Sequence, residues 1–462
     1  MRLMKDGVAM KNSDLTEGRI SSHFKSIAVP ASIGFLFNTL FNVVDSIYAG
    51  RLGTDALAGM AISFPIFFLV ISLSSGLGNA STALAAISIG KKDSKSFHQL
   101  LYNSIFIALI VGIIVPLLSP LYLKPMFALA GAEGDVLAIG LDYTRMIIYG
   151  TIFFVLNFVI NGLLYAQGNT KPFRNYLIIG FFANLILDPL FIFGWFGLPN
   201  LGATGIALAT VLVQMFGTIY LGYHLYKSSL FKKEELKASS LSWETNKDIL
   251  RQGIPSSLNN ATIALGVFII NYFVVLYAGS DTVAAYGVSM RIEQLALIPT
   301  IGINVAVLTI VGQNFGAKNI DRIIETRRKG MLYGVIIMLI GTIVIVPLAP
   351  YLIRIFDTNE AVVRAGTIYL RIEAIAFTTY IFLNVNVSVL QGIKKPKFAV
   401  VIGVYRQILP LGIFILLGTT LKMGVYGVWW GIVLINWSAV FISVVYTNKE
   451  LKKLKLTMND DL

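Results

Sequence analysis

Cysteine is absent from the 462 residues, which excludes disulfides and thiolate metal sites. Charge is scarce. Only 13% of residues are Asp, Glu, Lys or Arg, against 56% hydrophobic residues and a mean hydropathy of +0.75. A chain this apolar cannot hide its hydrophobes in one soluble core, so the composition is that of a polytopic membrane protein. Histidine occurs three times, as His23, His98 and His224, without metal-ligand spacing. There is no Walker lysine motif, so ATP is not expected to be used directly, and no nucleophile and base constellation supports an enzyme. The short alternating segments that mark barrel strands are also missing.

What the chain has in quantity is long apolar runs. A helix needs about 20 mostly apolar residues to cross a bilayer, and twelve such runs stand between charged punctuation. They lie near 24–50, 56–88, 98–120, 138–165, 174–194 and 203–226, then 247–278, 282–312, 325–350, 363–388, 398–418 and 424–447. The expected fold is an all-α integral membrane protein, twelve transmembrane helices in two pseudo-symmetric six-helix lobes. Of the 37 Lys and Arg, 28 fall in the termini and in the loops after spans 2, 4, 6, 8 and 10. Only five fall in the alternate loops, and Arg145, Arg291, Arg371 and Arg406 sit within or at the edge of spans. By the positive-inside rule both termini are expected in the cytoplasm of a cell-membrane protein. The net charge of +13 is then a signal of topology and anionic lipid, with no nucleic acid as partner. The organisation expected is a tail at 1–25, a first lobe at 26–226, a linker at 227–246, a second lobe at 247–447 and a tail at 448–462, in a monomer.

The two lobes repeat at a spacing of 226. Asp55-Ala56-Leu57-Ala58 recurs as Asp281-Thr282-Val283-Ala284, and Tyr143 and Arg145 recur as Tyr369 and Arg371. Letter matches then drift, pairing Gln167-Gly168 and Pro172 with Gln391-Gly392 and Pro396 at 224, and Gly202 and Gly205 with Gly424 and Gly427 at 222. Six spans per copy make this a parallel repeat about an axis along the membrane normal, with a central cavity as the place for substrate.

Asp45 and Asp188 lie deepest in apolar runs, and both belong to the first copy. The drifting spacing places Asn271 opposite Asp45, Arg406 opposite Asn184 and Pro410 opposite Asp188, so the second lobe is expected to lack these carboxylates. A charged side chain in mid-membrane costs about 2.5–3.5 kcal/mol on insertion scales and persists where something uses it. Asn184 and Asp188 are four apart, on one helix face. Pro189 disfavours helical geometry at Asp188 and leaves the Leu185 carbonyl without its amide donor. Two carboxylates, an amide oxygen and a hydroxyl such as Thr210 can hold a sodium ion, with Asp45, Asn184 and Asp188 as ligands, or share a proton. The competing structural reading is a hydrogen-bond network that braces a kinked helix. Asn157 and Asn161, also four apart, are candidate members of the same polar cluster or an ordinary interhelical bond. Glu293, with Arg291 and Arg145 as possible partners, and Glu373, two residues from Arg371, read as ion pairs or interfacial anchors. No particular aromatic is marked as substrate-binding.

These residues together resemble the multidrug and toxic compound extrusion (MATE) family across essentially the whole chain. The match is carried by Pro30, Asp45-Ser46-Ile47-Tyr48-Ala49-Gly50, Gly90-Lys91-Lys92-Asp93 and Gln167-Gly168-Asn169-Thr170-Lys171-Pro172. It continues through Asn184-Leu185-Ile186-Leu187-Asp188-Pro189, Gly202-Ala203-Thr204-Gly205 and Val311-Gly312-Gln313-Asn314-Phe315-Gly316-Ala317-Lys318. The resemblance implies an antiporter without cofactor, driven by protons or Na+, that exports drug-like amphipathic and often cationic compounds by alternating access. It also implies that Asp45, Asn184, Asp188 and a sixth-helix threonine, matched to Thr210, form the cation site, as in the DinF-like branch. Asn271 and Arg406 argue against a second-lobe site of the kind another branch uses. Arg145, Arg291, Glu293 and Arg406 stand as ion-pair or cavity residues. The alternatives are a lipid-linked precursor flippase, favoured by the arginines, and an integral membrane enzyme.

Overall fold

A computed structural model describes residues 14–460; residues 1–13 of the expected first tail and 461–462 of the expected last one lie outside the described residues. The first lobe comprises α1 (Ile20–Leu52), α2 (Thr54–Gly90), α3 (Ser94–Leu129), α4 (Gly134–Tyr149), α5 (Thr151–Ala166), α6 (Lys171–Phe193) and α7 (Ala203–Tyr226). A short linker helix, α8 (Lys233–Ala238), leads to the second lobe. That lobe comprises α9 (Trp243–Ala278), α10 (Ser280–Gly316), α11 (Ile320–Arg354), α12 (Glu360–Glu373), α13 (Phe377–Gly392), α14 (Lys397–Phe414) and α15 (Val425–Asp460). No strand occurs among the described residues.

Ten helices are individually long and apolar enough to span, and the pairs α4–α5 and α12–α13 supply two more. The fold is therefore twelve spans in two lobes. The runs at 138–165 and 363–388 are broken, by bends of 45° and 50°. The first break falls at Gly150, where a Cβ would lie 2.4 Å from Val211 Cγ2, so a residue with a side chain cannot bring this backbone against α7. The second break satisfies its own carbonyls: Ala376 N–H donates to Glu373 O at 2.7 Å, and the Thr342 hydroxyl to Ala374 O at 3.1 Å. At the other end of the lobe, α15 continues thirteen residues past the expected limit of 447. Lys395 to Glu450 at 3.1 Å and Lys455 to Asp321 at 3.2 Å hold this polar extension against neighbouring turns.

The repeat is more regular than the letters suggest. Helices α3, α5 and α6 begin at Ser94, Thr151 and Lys171, and α11, α13 and α14 begin at Ile320, Phe377 and Lys397, each 226 later. Left-handed turn residues recur in step: Gly53 with Gly279, Lys92 with Lys318, and Gly168 with Lys394. The 224 spacing of Gln167-Gly168 and Gln391-Gly392 is thus a coincidence of letters. The shift to 222 falls after α14, where Gly202 and Gly424, both at positive φ, precede α7 and α15. Asn271 stays opposite Asp45, but Asn184 faces Pro410 in the repeat, Asp188 faces Phe414, and Arg406 faces Gly180.

The lobes meet along α2 and α10, where a Cβ on Gly312 would sit 2.7 Å from Ala86 Cβ, and through two symmetric helix crossings. A Cβ on Gly76 of α2 would sit 2.0 Å from Ser257 Oγ of α9, and one on Gly302 of α10 would sit 2.2 Å from Ser32 Oγ of α1. The seam is polar as well as close: Asn79 Nδ2 donates to Ser256 Oγ at 3.1 Å and Asn260 Nδ2 to Ser75 Oγ at 2.9 Å. Among the described residues no interlobe bond involves the α1–α2 or α9–α10 turns, where Gly53 and Gly279 have nothing near. The lobes join at one end and part at the other.

Candidate functional site

In the first lobe α1, α6 and α7 bring four predicted side chains together. Asn184 Nδ2 donates to Asp45 Oδ1 at 2.5 Å and to Asp188 Oδ2 at 2.8 Å. Thr210 Oγ1 lies 3.4 Å from Asp45 Oδ2, and its nearer acceptor is Ile206 O at 3.0 Å. Asp45, Asn184, Asp188 and Thr210 are all buried. Asn184 Oδ1 and Asp188 Oδ1 have no partner. An unmet buried acceptor costs about 1–3 kcal/mol, and two of them beside two carboxylates make a site short of positive charge. Among the described residues, no basic side chain ranks among the groups acting on either acid.

The local fold explains why this geometry holds. Helix α6 passes over Pro189 without breaking. The carbonyl that the proline deprives of its amide, Leu185 O, is reached instead by the Tyr48 hydroxyl of α1 at 3.4 Å. One helix defect thus ties α6 to the turn of α1 that follows Asp45. Tyr143, buried on α4, lies within electrostatic reach of both acids; its recurrence as Tyr369 was visible, but its place beside the acids was not.

Asn157 and Asn161 stand apart from this cluster. Asn157 Nδ2 donates to Gln214 Oε1 at 2.7 Å, its Oδ1 accepts from Thr218 at 2.9 Å, and the Tyr176 hydroxyl donates to the same Gln214 oxygen at 2.8 Å. Asn161 Oδ1 is buried without a partner. Thr210, Gln214 and Thr218 recur every four residues on α7, so the acid site and the Asn157 network share one helix face. Gln214 carried no signal of its own in the sequence.

The second lobe corrects the ion-pair expectation. Arg145 is exposed and pairs with Asp142 at 3.1 Å, Arg291 is exposed, and Arg371 donates to Val346 O at 3.2 Å. None of them neutralises Glu293 or Glu373, which are buried and act on one another. Tyr369 donates to Glu293 Oε2 at 3.0 Å and Tyr380 to Glu373 Oε1 at 2.9 Å, while Glu373 Oε2 has no partner. Arg406 stacks 5.6 Å over the Tyr380 ring, donates to Asn436 Oδ1 at 3.0 Å and acts on both glutamates. The second lobe therefore has an acid pair of its own, at positions whose first-lobe counterparts are Phe67 and Ile147.

The donor set of the first-lobe site is all oxygen: Asp45 Oδ2, the orphaned Asn184 Oδ1 and Asp188 Oδ1, and Thr210 Oγ1. Such ligands suit a hard cation, and a shared proton satisfies the same atoms. Among the described residues no three His, Cys, Asp or Glu side chains gather, so the site holds two carboxylates and no third ligand of those types.

A family model described as MatE matches residues 30–190 and again 255–415, once in each lobe. A relative from Thermotoga maritima, described as a probable multidrug resistance protein NorM, is 26% identical over 411 residues, 88% of each chain. A FAD transporter of Shewanella oneidensis is 25% identical, over 83% of this chain and 85% of the relative. Among solved structures, an outward-facing conformation of a multidrug resistance MATE family transporter of the MOP superfamily aligns with a TM-score of 0.91. It is 25% identical and covers 97% of this chain and 99% of that one.

Proposed function

The chain belongs to the MatE family, and from that premise we propose that this membrane transporter is a cation-coupled antiporter that exports amphipathic, often cationic, organic compounds. It is a transporter rather than an enzyme. The observation that carries the coupling assignment is the Asn184 amide held between two buried carboxylates, with no basic side chain acting on them among the described residues. Asp45 and Asp188 take up the cation, Asn184 fixes their spacing, and Thr210 supplies a further oxygen. This is the acidic first-lobe arrangement of the DinF-like branch. Uptake of a proton or Na+ relieves the charge deficit, so the loaded and empty sites favour different lobe arrangements. An elementary charge moving down 100 mV supplies about 2.3 kcal/mol, enough to drive export. Both termini lie in the cytoplasm of the cell membrane, and the transporter works as a monomer.

A second reading keeps the transport cycle but changes the cargo to an anionic compound such as a flavin dinucleotide or a lipid-linked precursor. Arg406 at the second-lobe acid pair and the relative described as a FAD transporter favour it. One experiment separates these readings: efflux from reconstituted vesicles, energised in turn by a proton and a sodium gradient, of cationic dyes and of flavin dinucleotide. Wild type is expected to export the dyes under one gradient, and Asp45→Asn and Asp188→Asn to lose this. Efflux preserved in both variants sinks the coupling assignment, and transport of the flavin alone replaces the cargo.

A further inference from the structure

The lobes are fastened to each other by the two segments that lead into them. Residues 14–18, ahead of α1, dock on the second lobe. Leu15 is fully buried there; its N–H donates to Gln313 Oε1 at 3.0 Å, and its carbonyl accepts from Asn314 Nδ2 at 3.1 Å. Arg322, in the first turn of α11, donates to the carbonyls of Leu15 and Glu17 at 3.1 Å and of Gly18 at 2.9 Å, and its Nε is held by Asn314 Oδ1 at 3.1 Å. Gln313 reaches back to the first lobe, donating to Ala166 O at 2.7 Å. Two bonds from Thr16 hold the Asp14 carboxyl below the ordinary carboxylate range, and Lys92 of the first lobe and Arg322 of the second both attract it.

The segment ahead of α9 does the same in the opposite direction. Asn103 of α3 donates to Ser240 O at 3.0 Å and accepts from Ser242 N–H at 3.0 Å; Gln99 holds both backbone groups of Ser240. Ser240 lies 226 after Asp14, and α11 begins 226 after α3. Each lobe thus grips the leading strap of the other at the start of its third span. The gripping residues differ, an arginine in one case and two amides in the other, so the arrangement is not a copied motif but a recurring geometry.

We propose that these crossed straps are a two-part latch on the cytoplasmic face, and that releasing Arg322 from the first strap is a step in opening the transporter inward. The inference rests on the alternating-access reading above and not on which cation drives it. Each Arg322 bond is charge-assisted, and losing the set is expected to shift the balance by about tenfold. The test uses spin labels at Lys95→Cys and Glu325→Cys on the two lobes, without background because the chain has no cysteine. In Arg322→Gln the population with long distances is expected to rise about tenfold. Adding Asn103→Ala should raise it further, and Arg322→Lys should recover part of the closed population. Unchanged distances in the monodisperse double variant overturn the latch. So does a strap that proteolysis shows to be released in Arg322→Gln while the lobes stay together. Because the distances are read without any gradient, failure of the coupling assignment leaves this result standing.

Discussion

In the first lobe the acids stand on α1 and α6 and share a single amide donor; in the second they stand on α10 and α12 and are held by tyrosine hydroxyls near an arginine. The two lobes nevertheless keep one tyrosine in the same place. Tyr143 and Tyr369 are 226 apart; Tyr369 donates to Glu293, and Tyr143 lies within electrostatic reach of Asp45 and Asp188. The scaffold therefore offers an equivalent polar pocket twice, and each lobe has filled it from different helices. What separates the pockets is nearby charge: Arg406 weakly attracts the second pair, and among the described residues no basic side chain is among the groups acting on the first. On the coupling proposed above, the lobe without a nearby arginine is the one that takes up the cation.

That contrast is open to direct attack. The largest effect is expected from Asp45→Asn or Asp188→Asn, which should abolish gradient-driven efflux, while Glu373→Gln should leave most of it. The opposite pattern in vesicle assays moves coupling to the second lobe. Next, Asn184→Leu removes the shared donor and should lower the initial efflux rate roughly ten- to hundredfold, since bonds to charged groups are worth about 1.5–3 kcal/mol. A different comparison is expected at the seam, where the lobes are alike. Gly76→Leu and Gly302→Leu each force apart a crossing at a cost of about 1–3 kcal/mol. Distance measurements across the seam should show equal shifts in both, and a strong inequality breaks the pseudo-symmetry. The smallest effect is expected from Tyr48→Phe, which leaves Leu185 O without its donor and should lower thermal stability by less than about 1.5 kcal/mol.

The twelve spans and the Asn184–Asp188 pair were legible because apolar length and four-residue spacing are local properties, whereas the meeting of Asp45 with Asn184 across 139 residues was implied only by the family resemblance. The bends were not, since Gly150 reads as one more glycine until Val211 is seen against it. The second-lobe pair was misread for a reason that helix geometry makes plain. Arg291 and Arg371 stand two residues from Glu293 and Glu373, and residues two apart on a helix point to different sides. Proximity in sequence suggested neutralisation where the fold forbids it. The repeat register misled in the same way, because Gln-Gly recurs by chance two residues from where the backbone turn recurs. The straps left no trace in the sequence at all, being short, polar and without periodicity.

Those straps also bear on how the chain is assembled. Leu15 and its partners Gln313 and Arg322 are separated by 298 and 307 residues. The strap therefore waits for about three hundred further residues of synthesis before its partners in the second lobe exist. A first lobe made alone has its helices but not its fastening, and Leu15 has no apolar pocket to enter. Docking of this strap therefore requires that the second lobe has been made at least as far as the first turn of α11.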